Sequence, residues 1–261
     1  MMACFDRCHC IHDKRQSSIL YSILKNDNQK ELHVHEGIIH QGCSCGSKKK
    51  VVLKCPQVTC KTAFGVLVKT LKFIKNVPCF QELPVEDQLL LVRSCWAPLL
   101  VLGLAQDRVD FEVIETSEPS MLQMILTNSQ EKLEEQHLGN HQPPSSVEIQ
   151  SIKSFLTKCW NMDISTKEYA YLKGTILFKP DLPGLHCSQY IQGLQREAQQ
   201  ALNEYIKMIY CGDQTRFTKL IIVLSMLRSI NANVIAELFF RPIIGTININ
   251  DMLVEMLSAK I

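Results

Sequence analysis

From Cys55 onward, apolar residues recur at helical spacing through most of the chain. Leu67, Leu71 and Ile74 share one face, so residues 57–77 are predicted as a long amphipathic helix. Residues 85–105 are predicted as a second, more apolar helix, with Pro98 expected to kink or divide it. Pro78 and Pro84 bracket a turn between the two, because each lacks an N–H and restricts the residue before it. Residues 109–114 alternate apolar and polar positions and predict a short strand. Residues 119–128 predict a helix with Pro119 in its first turn, followed by a polar connection over 128–146.

Further helices are predicted at 147–161 and from a capping box at Ser165–Glu168 to about 178, with Pro180 beyond its end. Others follow at 188–210, 213–230 and 232–239, the last ended by Arg241-Pro242. A final short amphipathic helix is expected at 249–259, with Asn248 or Asn250 as its cap. The fold class is therefore all-α: stacked helical layers with one small β-hairpin. Residues 55–261 are expected to form this domain, and residues 1–54, which show no sustained periodicity, a flexible Cys/His-rich tail.

Composition narrows the function. An apolar fraction of 46% supports a sizeable core. The 28 basic and 26 acidic residues nearly balance, so charge makes no general case for nucleic-acid binding. The tail holds nine basic and five acidic residues, including the run Lys48, Lys49, Lys50. No apolar run approaches the ~20 residues needed to span a bilayer, and the N-terminus lacks the apolar region of a secretory signal. The 12 cysteines are therefore read as reduced thiols of an intracellular protein. Cys95, Cys159, Cys187 and Cys211 fall in apolar patterns and are expected to pack as small hydrophobes, with Trp96 and Trp160 as core residues. Cys8-x-Cys10 and Cys43-x-Cys45, with nearby histidines, could assemble a zinc tetrahedron. Their spacing fits poorly, and no metal or cofactor is expected. No P-loop, HExxH, GxSxG or Rossmann turn is present, so no enzyme is expected.

Four constellations suggest docking instead. Leu20, Ile23 and Leu24 place three apolar side chains on one helical face within the polar tail, a Leu-x-x-Ile-Leu box. Leu122–Leu126 repeats that spacing and is read as core. The turn Pro78, Cys79, Phe80, Gln81, Glu82, Leu83, Pro84 puts Phe80 and Leu83 three apart, either as a second contact or as plugs of the core beneath. Met252, Leu253, Met256 and Leu257 form the apolar face of the terminal helix around Glu255. Lys75 and Glu255 are either ordinary solvated charges or the two ends of a groove. A Glu at one end and a Lys at the other would satisfy the orphan N–H and C=O groups of a short docked helix. That groove is expected to be empty, or filled by the protein itself. Three buried aliphatic side chains supply ~5–8 kcal/mol gross, and ordering costs leave an affinity on the order of micromolar. Tight partner choice then needs a second contact.

The stretch Phe73–Leu91, with Phe-x-Lys, Phe-x-x-Leu and Asp-Gln-x-x-Leu-Leu, resembles the signature of nuclear-receptor ligand-binding domains. The hexamer 252–257 resembles the receptor activation helix. Residues 165–178, 190–195 and 230–246 narrow the resemblance to nuclear receptor subfamily 0, group B, over residues 51–261. The resemblance implies an orphan receptor without a DNA-binding domain, acting as a transcriptional corepressor in nucleus and cytoplasm. It implies other nuclear receptors as partners, of the steroidogenic factor and liver receptor homolog type, with corepressor proteins and a second copy of the chain besides. The alternative is a ligand-regulated domain whose pocket, lined by Leu67, Leu71, Trp96, Leu99 and Leu100, controls the terminal helix.

Overall fold

The computed structural model describes residues 49–117, 144–211, 213, 215–245 and 247–259. Strand β1 (Lys49–Leu53) leads into α1 (Pro56–Lys75), α2 (Pro78–Gln81) and α3 (Val85–Gln106). Strand β2 (Val113–Ser117) follows, then α4 (Ser146–Asn161), α5 (Thr166–Leu177) and α6 (Ser188–Ile209). Helix α7 (Arg216–Met226) runs through one 3-10 turn into α8 (Ala232–Phe239), α9 (Arg241–Ile244) and the terminal α10 (Ile249–Ser258). The all-α class with one small sheet holds. The predicted helix at 119–128 and the Leu122–Leu126 copy lie outside the described residues.

Helix α3 is the middle layer and contacts α1, α4, α5, α8 and α10. Thirteen of its residues are buried, and from Cys95 to Ala105 every one is buried except Pro98. A helix apolar all round belongs in the interior, which is why α3 lacks a polar face. By length and composition α3 could cross a membrane, contrary to the expectation that no apolar run approaches that length. However, 67% of its most apolar stretch is buried inside the domain, the setting of a core helix. Pro98 does not divide it: α3 is one element from Val85 to Gln106. The bond that Pro98 forfeits is to the Ser94 carbonyl, and both residues are only half-buried. The orphan carbonyl is therefore not sealed in the core, and packing on the other faces holds the helix together.

Gly103 lets α1 and α3 cross closely. A Cβ there would lie 2.7 Å from Val66 Cγ1 and 3.4 Å from Thr70 Oγ1. Further along the core, Trp96 meets Phe240 edge-on at 6.0 Å and Phe111 meets Phe239 at 5.1 Å. Leu67, Leu71, Trp96, Leu99 and Leu100 belong to this same core and are at most 3% exposed.

The sheet is not a hairpin. β1 and β2 pair antiparallel from Lys49↔Ser117 to Leu53↔Val113, and α1 to α3 lie between them in the chain. Alternation at 109–114 points to the second strand but places it too early: the strand runs Val113–Ser117, and only Val113 and Ile114 are shared. Its partner lies at the edge of the segment expected to be tail, where Val51 and Leu53 turn inward and are buried.

Two capping boxes set the starts of α4 and α5. Ser145 and Glu148, and Ser165 and Glu168, each exchange side-chain and backbone bonds. Glu168 is also the buried anion that receives Arg216, at 2.5 Å from Nε and 2.8 Å from Nη2. This pair fixes α7 against α5, and the arginine caps the Met162 and Asp163 carbonyls as well.

Candidate functional site

The site begins where α1 ends. Val77 is extended, Pro78 opens the one-turn helix α2, and Pro84 (φ −52°, ψ 145°) leads into α3. Phe80 and Leu83 point into the core at 1% and 4% exposure and pin the turn from beneath. Polar groups lock it from above. The Gln88 amide donates to the Leu83 carbonyl at 2.9 Å and the Gln81 carbonyl at 3.3 Å. The Gln81 amide donates to the carbonyl of Lys75. What the turn shows to solvent is Pro78, Gln81, Glu82 and Pro84, continued by Val85 at 63% exposure; Cys79 is half-buried.

A second tie joins the turn to the start of α6. Asp87 is fully buried and accepts the backbone N–H groups of His186 and Cys187, each at 2.9 Å; its Oδ1 lies 3.1 Å from His186 Nδ1. Burial alone would raise its pKa, but those backbone and imidazole contacts outweigh it and hold the carboxyl below its ordinary range. Tyr190 donates its hydroxyl to Glu82 at 3.3 Å. Gln81 and Gln88 fall within the quoted turn and signature, but their roles in locking the turn, and that of Tyr190, are not read from sequence. The Asp-Gln pair inside the receptor signature is the signal for two of these contacts; Tyr190 opens the segment 190–195 that carries the resemblance, but nothing in that spelling pairs it with Glu82.

The terminal helix α10 is capped by Asn248, which accepts from the Asn250 N–H at 2.8 Å. It packs on α1 and α3. Leu253 is fully buried; Met252, Met256 and Leu257 are half-buried; Glu255 is exposed. The Lys75 ammonium donates to the carbonyl of Ala259, the residue that closes α10. An open cleft of about 340 Å³ at this junction is lined by Lys75, Phe80, Gln81, Gln88 and Leu257.

Lys75 and Glu255 therefore stand at the same end of one helix. Glu255 is four residues before Ala259, ~6 Å along the axis at 1.5 Å per residue. In this structure the Lys75 ammonium is taken up by α10 itself. Lys75 instead neutralises an orphan carbonyl of the chain's own last helix, where a cation suits the dipole.

The tail box Leu20, Ile23, Leu24 and the cysteines and histidines of residues 1–45 lie outside the described residues. Among the described residues, no three His, Cys, Asp or Glu side chains gather as a metal site. Cys95 and Cys159 are buried, which pushes their thiols up to about 12; burial pushes Cys60 up to about 11. Thiolate is scarce at such values, so these cysteines pack rather than react. Cys211 departs from expectation: it lies beyond the end of α6 and is exposed. Trp160 is half-buried, its indole N–H donating to the Ala105 carbonyl at 3.0 Å.

Residues 47–244 match the family described as the ligand-binding domain of nuclear hormone receptor. The chain is 52% identical over 272 residues to nuclear receptor subfamily 0 group B member 1 of Sus scrofa. The protein of that name from Homo sapiens is 51% identical over 271 residues. Both alignments cover 97% of this chain and 58% of the relative. The Mus musculus protein is 48% identical over 84% of this chain and 49% of its own length. The chain thus spans about half the length of these relatives. A receptor signature at the α1–α3 turn, a terminal helix seated beside it and these similarities agree: the chain belongs to the nuclear hormone receptor ligand-binding-domain family, within subfamily 0, group B.

Proposed function

We propose that this chain is a corepressor that docks on the activation groove of other nuclear receptors and excludes coactivators. The family is one of generally non-enzymatic receptors, and this reading needs no reaction. In it, the tail box Leu20, Ile23, Leu24 enters the partner's groove as a short amphipathic helix. The turn Pro78–Pro84 supplies the second contact that three apolar side chains cannot replace. The observation that carries this division is the burial of Phe80 and Leu83. Their side chains stiffen the turn from inside, so insertion falls to the tail box, and Pro78, Pro84 and exposed Val85 form the rigid rim that meets the partner. Cys79 lies between them, half-buried. Preorganisation of that rim by Gln81 and Gln88 lowers the ordering cost of binding.

The partners in this proposal are receptors of the steroidogenic factor and liver receptor homolog type, in nucleus and cytoplasm. Corepressor proteins would join through the helical domain, and a second copy of the chain offers the same surfaces. The alternative, a pocket that controls α10, loses support from the packing of Leu67, Leu71, Trp96, Leu99 and Leu100, joined in the same core by Phe239 and Phe240. A pull-down with Leu20→Ala and Leu24→Ala tests the proposal. Binding to a sister receptor domain is expected to drop by at least tenfold. Unchanged binding would remove the tail from the mechanism.

A further inference from the structure

A serine or threonine with an acidic residue three positions later occurs twice in the chain, at Ser145–Glu148 and Ser165–Glu168. Both pairs are the capping boxes that open α4 and α5. The same spelling suits a second reader. Acidic-directed protein kinases take a serine from an extended segment and pair their basic side chains with a carboxylate three residues on. The fold treats the two copies differently.

At Ser165 the carboxylate is already taken. Glu168 is fully buried, receives the Arg216 guanidinium at 2.5 and 2.8 Å, and accepts the Ser165 N–H at 2.8 Å. A kinase could reach it only by pulling apart the pair that fixes α7 against α5. A phosphate on Ser165 would also set a dianion against that buried anion.

At Ser145 the box is on the surface. Ser145, Ser146 and Val147 are exposed, Val147 at 80%. Ser145 is extended (φ −76°, ψ 154°) and follows Pro144. Its hydroxyl donates to Glu148 Oε2 at 2.7 Å and accepts the Glu148 N–H at 3.3 Å, while its own N–H donates to Glu148 Oε2 at 3.0 Å. The first buried side chain of α4 is Ile149. The turn that carries the box is therefore held by exposed hydrogen bonds and not by packing, the setting in which a helix end opens readily.

We propose that Ser145 is a phosphorylation site for an acidic-directed serine kinase and that Ser165, with the same spelling, is not. The hydroxyl oxygen bonds to the γ-phosphorus of ATP, the bond from that phosphorus to the bridging oxygen breaks, ADP leaves, and the hydroxyl proton passes to the kinase's base. The product carries about 1.5–2 negative charges at neutral pH. It keeps a cap, because a phosphate oxygen replaces the hydroxyl as acceptor of the Glu148 N–H and the helix dipole favours an anion there. The Glu148 carboxylate, now facing a like charge, gives up its bonds to Ser145. None of this depends on docking to sister receptors.

The test incubates the full chain with ATP and casein kinase 2 and maps phosphate by mass spectrometry. Labelling is expected at Ser145, with Ser165 labelled at least ~tenfold less. Glu148→Gln keeps the box, since glutamine serves at that position too, but removes the charge the kinase reads. It is expected to cut labelling at Ser145 by at least ~tenfold. Short peptides carrying either box are both expected to be labelled, which assigns the difference in the folded chain to burial. Ser145 left unlabelled in the chain, Ser165 labelled as fast as Ser145, or Glu148→Gln labelled like the parent would each overturn the proposal. So would a Ser165 peptide that stays unlabelled, because burial would then not be what separates the two serines.

Discussion

Replacing Arg216 with methionine should destabilise the domain strongly, because it leaves a buried carboxylate without its cation. Arg216 and Glu168 are 13% and 0% exposed. The guanidinium makes two bonds to the carboxylate and two more to the Met162 and Asp163 carbonyls, and it lies 4.3 Å from the Tyr210 ring centre. Methionine keeps much of the packing but leaves the carboxylate buried without its cation. Breaking a buried pair in this way costs about 3–5 kcal/mol. In a domain of this size that corresponds to roughly 6–20 °C of melting temperature. Urea unfolding followed by circular dichroism measures it.

The pH dependence gives the result a sign. Burial alone would raise the Glu168 pKa; bonds from Arg216 and Ser165 outweigh it and hold the carboxyl below its usual range. In the native chain its contribution is therefore fully present above the unfolded value of ~4.3 and lost as pH falls through the lower folded value. Arg216→Met leaves the burial and removes the main compensation, so the carboxyl should move upward and bind a proton more readily. The stability gap between variant and parent should then narrow as pH drops from 7 toward 4. A loss under ~1 kcal/mol, or a gap that does not change with pH, would refute the reasoning.

Other consequences follow from single contacts. Asp87→Ala removes the acceptor for two backbone N–H groups and should cost about 2–4 kcal/mol, with faster hydrogen exchange at His186 and Cys187. Because the folded pKa of Asp87 is lowered, its contribution holds above the unfolded value of ~3.9 and fades as pH falls through the folded one; the variant should lack that acid-sensitive component. Gly103→Ala drives a Cβ against Val66 and should destabilise by roughly 1–3 kcal/mol in chemical denaturation, with Gly103→Ala/Val66→Ala recovering part of it.

Much of the fold was legible because its signals are local. The boxes at Ser165–Glu168 and the cap at Asn248 depend on side chains within three residues, and both elements begin where those spellings place them. Helix α8 keeps the range 232–239 for the same reason: a capping Asn231 before it and Arg241-Pro242 after. Pro98 misled because a breaker's effect depends on what surrounds it, and burial of α3 is a tertiary fact. Strand β1 was hidden because its partner lies across three helices in the chain. The groove was only half legible. Lys75 and the apolar face of α10 are readable as residue types, but where that helix seats is not spelled locally. The contact of Lys75 with Ala259 is likewise tertiary: it depends on where α10 seats, 184 residues further along the chain.

The most direct measurement of the central idea is a displacement titration on a sister receptor's purified ligand-binding domain loaded with a labelled coactivator peptide. Adding the full chain should release the label in proportion to binding, and the Leu20→Ala/Leu24→Ala chain should release far less. If the chain bound that domain while the peptide stayed in place, competition for the activation groove would be excluded as the way it works.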